Sequence, residues 1–177
     1  MNGAAGETKY YGKYAATVVN NIDPLQRARL LLSVPDVLSF VPSSWAEPCL
    51  PLAGPTGLPM GTYFVPPIGA GVWVEFEQGD VDRPIWVGCR FGSTADVPPL
   101  ALAGLPTSPS IVMQTGGQNT LMISDLPGPA GGILLKSTAG ASISITDTGI
   151  IIQNGQGASI SMVGPTVTIN NGALAIT

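Results

Sequence analysis

The stretch "GASISITDTGIIIQNGQGASISMVGPTVTI", residues 140–169, decides the fold, because it alternates small polar and aliphatic residues and carries a single charge, Asp147. A period of two belongs to a β-strand whose two faces meet different surroundings. In "ASISIT", Ala141, Ile143 and Ile145 share one face, and Ser142, Ser144 and Thr146 the other. The second copy sets Ala158, Ile160 and Met162 against Ser159, Ser161 and Val163. The two "GASIS" copies lie 17 residues apart. That is the length of two strand-plus-turn units, the mark of a solenoid-like β repeat.

Such a ribbon cannot stand alone. Burying about three aliphatic side chains per strand yields a few kcal/mol at roughly 25 cal/mol per Å2, whereas ordering each residue costs about 1–2 kcal/mol. A single chain is also expected to leave its strand edges open. Three chains around a common axis answer both problems. Each supplies one side of a triangular prism, aliphatic side chains fill the centre, Ser and Thr form an uncharged skin, and edges pair between neighbours. On this reading the trimer core consists of Ile143, Ile145, Ile151, Ile160, Met162, Val167 and Ile169. The alternative is one sheet of a monomeric β-sandwich, against which the small size of the alternating side chains counts. Low charge removes repulsion among identical chains and lowers the cost of shedding water on entering a membrane.

Working outward, strand-like pieces of five or six residues recur from "IVMQT" at 111 to "ALAIT" at 173, separated by Gly, Pro, Asn or Asp. After position 96 only Asp125, Lys136 and Asp147 are charged, whereas the first 96 residues hold all the other charges. Two bodies with different surfaces are implied. With 23 Gly and 17 Pro in 177 residues, long helices are excluded and an all-β chain with many turns is expected. A net charge of −4 without a basic patch excludes a nucleic-acid partner. The absence of His, and two Cys far apart in sequence, exclude a metal knuckle or a disulfide framework. Cys49 and Cys89 are expected to be buried free thiols. The start lacks the pattern of a secretory signal and no apolar run reaches bilayer length, so the chain is expected to be made and folded in the bacterial cytoplasm.

In the N-terminal half, "YYGKYAATVVNN" at 10–21 reads as a first strand followed by a turn. Residues 25–34 are ambiguous. Asp23-Pro24 could start a helix that Pro35 would end, or Arg29–Val34 could be a strand. "WAEPCLP" is a short strand, followed by a Gly- and Pro-rich excursion that returns at Tyr63. In "GVWVEFEQGD", Val72, Val74 and Phe76 point one way and Trp73, Glu75 and Glu77 the other. A turn then leads into "IWVGCRFG". Five antiparallel strands in some eighty residues suit a small OB-type barrel. The domain boundaries expected are 1–92 for the barrel, 93–110 for a Pro-rich linker and 111–177 for the repeat.

Four phrases now carry a resemblance: "YYGKYAATVVNNIDPLQRARLLLSVPDV", "WAEPCLPLAG", "PPIGAGVWVEFEQGDVDRPIWVGC" and "GIIIQNGQGASISMVGPTVTINNGAL". The chain resembles the OB-fold spike proteins of contractile phage tails and related injection systems, akin to phage baseplate assembly protein V and the core of the valine-glycine repeat spikes. Two departures stand out. Ala28 occupies a place where Gly before Arg29 is common, and Val81 replaces a frequent Pro in the Gly-Asp-Pro-Asp turn. The resemblance implies an N-terminal five-stranded OB-type barrel followed by a C-terminal intertwined trimeric β-helix, the needle, with residues 29–34 as strand. It also implies that the barrels dock on a ring-shaped hub protein and that the needle points away from it, in the baseplate of a phage tail-like particle or virion. Some members end in a His-bearing iron tip, which a chain without His cannot build. Others carry a separate PAAR-like tip protein, which the uncharged end Ala173, Leu174, Ala175, Ile176 and Thr177 would suit.

The carboxylates Glu75, Glu77, Asp80 and Asp82 are expected to be solvated strand and turn charges rather than a glycosidase pair or a calcium loop. Serine catalysis lacks a His partner and a nucleophile-elbow motif. No catalytic residue, metal site or cofactor is expected. Trp73, Trp86 and Glu75 are candidate hub contacts if the aromatics project outward, since large aromatics anchor interfaces. Two functions from different classes follow. One is a non-enzymatic central spike that joins hub to puncturing tip and transiently meets a target membrane. The alternative is an OB-fold glycan-binding module on a β-repeat stalk.

Overall fold

The computed structural model describes residues 8–176, with backbone alone at positions 172, 175 and 176. The chain divides into two compact units, meeting in sequence at Gly92 and Ser93. Both are built almost entirely of strands.

In the first unit, β1 (Tyr14–Asn20), β2 (Leu31–Ser33), β3 (Glu47–Pro48), β4 (Gly71–Phe76) and β5 (Pro84–Arg90) form one sheet in the order β2-β1-β4-β5-β3. All neighbours are antiparallel except β3 and β5, which run parallel. The two outer strands meet as well. Leu30 and Ala46 exchange backbone hydrogen bonds of 3.1 and 2.8 Å, and this antiparallel bridge closes the sheet on itself. The result is a five-stranded barrel with OB connectivity and no long open edge.

Alternation fills the barrel. Val72, Val74 and Phe76 of β4 are buried, together with Ala16, Val18, Leu30, Leu32, Val34, Ala46 and Trp86. Residues 31–33 are strand, as the resemblance implied. Pro35 behaves differently from expectation. It opens a one-turn helix, α1 (Pro35–Leu38), because its fixed φ suits the first helical position and its missing N–H is not needed there.

Two further expectations are corrected here. Cys49 and Cys89 are both exposed rather than in the core, Cys49 just after β3 and Cys89 next to the last residue of β5. Trp86 is buried, not projected outward. It pairs across with Val74, and directly opposed residues share a face. An irregularity between Trp73 and Val74 in the β4–β5 ladder hides this phase from the sequence. Its indole N–H donates to the Ala28 carbonyl at 3.0 Å, so the one polar atom of the ring is satisfied inside.

In the second unit, two single 3-10 turns (Thr94–Asp96 and Pro99–Ala101) precede eight strands. These are β6 (Ile111–Gln114), β7 (Thr120–Ser124), β8 (Gly132–Lys136), β9 (Ser142–Thr146), β10 (Gly149–Gln153), β11 (Ser159–Val163), β12 (Thr166–Ile169) and β13 (Leu174–Ile176). Each pairs antiparallel with the next, in strict chain order. This corrects the expectation that the ribbon leaves its strand edges open for neighbouring chains. Connections of two to seven residues are short enough for each strand to fold back on its predecessor, so within the chain only β6 and β13 keep an unpaired side among the described residues. Gly132 opens β8 at φ +79, and a Cβ there would run into the carbonyl oxygen of Ile145 on the neighbouring strand. Only Gly permits both the angle and the approach.

Candidate functional site

The register of the eight-stranded sheet lines up residues that are far apart in sequence. Ile123 lies opposite Ile111 and Ile133, Ile133 opposite Ile145, Ile145 opposite Ile150, and Ile150 opposite Met162, which faces Val167. Two positions along each strand a second row runs from Met113 through Leu121, Leu135, Ile143, Ile152, Ile160 and Ile169 to Leu174. Every described side chain in these two rows is aliphatic or Met. The other face carries Ser144 and Ser161 opposite Ile151, Thr168 opposite Ser161, and Lys136, Ser142 and Gln153 at one margin.

This aliphatic face is not covered within the chain. Ile143, Ile145 and Ile160 retain 39, 42 and 39 % of their surface, and Met113 retains 67 %. Lone exposed aliphatics are ordinary, but two continuous rows across eight strands form a patch that a soluble surface does not carry without a partner. On the opposite face Thr120, Met122 and Ser124 are buried, so the unit hides part of its mixed face and leaves its apolar face open. Ile143, Ile145, Ile160, Met162, Val167 and Ile169 all belong to the two rows. Ile151 does not. It pairs across with Ser144 and Ser161 and points the other way.

The sequence reading missed more than half of the face: Ile111, Met113, Leu121, Ile123, Ile133, Leu135, Ile150 and Ile152. In "GIIIQ" three consecutive isoleucines erase the alternation, and only the register against β9 assigns Ile150 and Ile152 to one face and Ile151 to the other. Of the C-terminal segment, Ala173 and Leu174 are exposed and Leu174 extends the second row. Ala175 and Ile176 continue β13 opposite Thr168 and Val167 by backbone register. Thr177 lies outside the described residues.

On the barrel, the candidate hub contacts separate. Trp73 is partly exposed, with the Arg90 guanidinium 5.9 Å from its ring centre. Glu75 lies on the same outer face and pairs with Lys13 at 2.5 Å. Trp86 leaves the set, being core. Two of the remaining carboxylates of "EFEQGDVD" are engaged locally: Glu77 pairs with Arg83 at 2.5 Å, and Asp80 accepts from the Asp82 N–H at 3.0 Å.

A different carboxylate organises this unit. Asp23 is nearly buried and accepts backbone N–H bonds from Leu25, Arg27 and Arg29 at 2.9, 2.8 and 3.3 Å, while the Arg29 guanidinium reaches it at 2.6 Å. The Arg29 side chain, followed by these backbone donors and against the cost of burial, holds its carboxyl well below the usual carboxylate range. Sequence reading left Asp23 open as a possible start of a helix. It instead pins a loop in which Gln26 and Ala28 both adopt positive φ.

Comparison with known families agrees with this division. Residues 14–91 match the type VI secretion system/phage-baseplate injector OB domain. Residues 110–175 match the phage baseplate V C-terminal trimerisation domain. No curated protein matches the chain. The second match supports self-association as a trimer, and the chain belongs to the phage baseplate V family of spike proteins.

Proposed function

We propose that this baseplate protein is the non-enzymatic central spike of a contractile injection machine, with three barrels forming a collar on the hub and three sheets closing into a β-helical needle. The observation that carries the reading is the two-row aliphatic face. It is too large to remain wet, and three copies facing a common axis bury it from all sides. The Ser- and Thr-rich face becomes the outer skin, and its low charge limits the cost of transient passage through a target membrane. Eight strands at roughly 4.8 Å spacing give a needle about 35–40 Å long.

Hub docking falls to the outer face of the barrel around Trp73 and Glu75. The far end, from Ala173 to Thr177, receives one copy of a PAAR-like tip protein. The OB-fold glycan-binding alternative would need outward aromatics to stack on a sugar, and Trp86 is enclosed. The reading is tested by negative-stain imaging of the purified protein with and without a PAAR-like partner from the same machine. Short needles under a wider collar, capped at one end, are expected. Deletion of residues 173–177 removes the last strand and should abolish capping while the trimer persists. Compact globular particles, or capping of the truncated protein, would contradict it.

A further inference from the structure

Among residues 111–176 the charged side chains are Asp125, Lys136 and Asp147, and they are sorted by position. Lys136 ends β8 at the margin where the β8–β9 turn lies. Asp125 follows β7 and Asp147 follows β9, both at the opposite margin. Since β8 lies between β7 and β9, the two carboxylates bracket the level of Lys136. Asp147 is drawn toward that level, because both its carboxylate oxygens accept from the Gly128 N–H of the β7–β8 loop, at 3.1 and 3.0 Å. A five-residue strand of about 17 Å separates the margins, and Lys136 has no ion-pair partner in its own chain among the described residues.

A closed three-fold assembly uses a heterologous contact, in which one margin of each copy meets the opposite margin of the next. One cation on one margin and two anions that bracket its height on the other are then complementary between copies. We infer that Lys136 of one copy pairs with the Asp125–Asp147 margin of the next, at three equivalent corners of the prism. This rests on the trimer reading of the aliphatic face.

Exposed ion pairs are weak and screened by salt, so the corner pairs set register rather than supply adhesion. The need for a register device comes from the rows themselves. Aliphatic side chains repeat from strand to strand, and a copy slipped along the axis by two strands would still meet aliphatic side chains. The slipped copy would leave Lys136 beside only one of the two carboxylates and strand the other, which selects against it.

The test uses the full chain with Cys49→Ser and Cys89→Ser, carrying Lys136→Cys together with Asp125→Cys, treated with a short bis-maleimide. Covalent trimers should dominate on a denaturing gel, and either single cysteine alone should leave the chain uncoupled to its neighbours. A double variant that sediments as a trimer yet runs as monomer overturns the corner pairing. A background protein that sediments as a monomer overturns the trimer reading and this inference with it. Lys136→Glu supplies an independent sign: added salt should stabilise its trimer, whereas salt should weaken the parent slightly. An unchanged salt response contradicts the pairing.

Discussion

The two units are written in the same strand pattern and reach opposite ends. In the barrel the alternating aliphatics of β1, β2 and β4 face each other across an enclosed core, because Leu30 and Ala46 close the sheet within one chain. In the C-terminal sheet the alternation is as regular, yet consecutive hairpins keep all eight strands in one chain-ordered sheet and leave two aliphatic rows facing outward. Among the described residues both units pair their strands within the chain, save the outer sides of β6 and β13. Only one satisfies its side chains. The difference teaches that pairing and burial are separate problems: short turns solve the first in either unit, but the second needs closure or more copies. Stability of the barrel should therefore be independent of protein concentration, and that of the sheet should rise with it.

The largest effect should come from charging the open face. Ile160→Asp places three carboxylates near one axis, each costing several kcal/mol if buried unpaired. Monomers in sedimentation, with the barrel still folded by its near-ultraviolet signal, are expected. Ile151→Asp, on the other face, should leave the trimer intact. If the two variants behave alike, the assignment of faces fails.

The converse substitution breaks the barrel alone. Trp86→Ala removes the largest core side chain and leaves the Ala28 carbonyl without its donor, at a cost of about 3–5 kcal/mol. Thermal unfolding should show the barrel transition falling by many degrees while the sheet transition stays in place. A joint fall of both would deny that the units are energetically separate.

Acid should also separate them. The Asp23 carboxyl titrates below its ordinary value in the folded barrel, so its contribution is complete above about pH 4 and is lost as pH falls through the folded value. The barrel of Asp23→Asn should show less of this acid loss than the parent, with the sheet unchanged in both. Equal pH dependence of the two barrels would contradict the role assigned to Asp23.

The smallest expected effect is at Ala28, where a φ of +62 holds an L-residue in the left-handed region. Relief of that strain, less the added freedom of Gly in the unfolded chain, should make Ala28→Gly more stable by about 0.5 kcal/mol in denaturant titration. A loss of stability would show that the methyl group's packing outweighs the strain.

Much of this was legible in the sequence. Periodicity in "GVWVEFEQ" and "ASISIT" is a local property, so those strands could be read directly, and the uneven charge pointed to two bodies, whereas residues 29–34 read as strand only through the resemblance. What could not be read depends on how strands meet. The phase of Trp86 follows from an irregular ladder between β4 and β5, and the face of Ile151 from its register against β9. Ala28 is a middle case. The residue itself is visible in the sequence, but the positive φ that would suit Gly there is a property of the loop that Asp23 holds.

The central claim is that the exposed aliphatic face is covered by two further copies of the same chain. Sedimentation equilibrium of the full chain at micromolar concentration tests it most directly. The account predicts a single species of three times the 18.1 kDa chain mass. A species at the mass of one chain, with the sheet still folded, would contradict it.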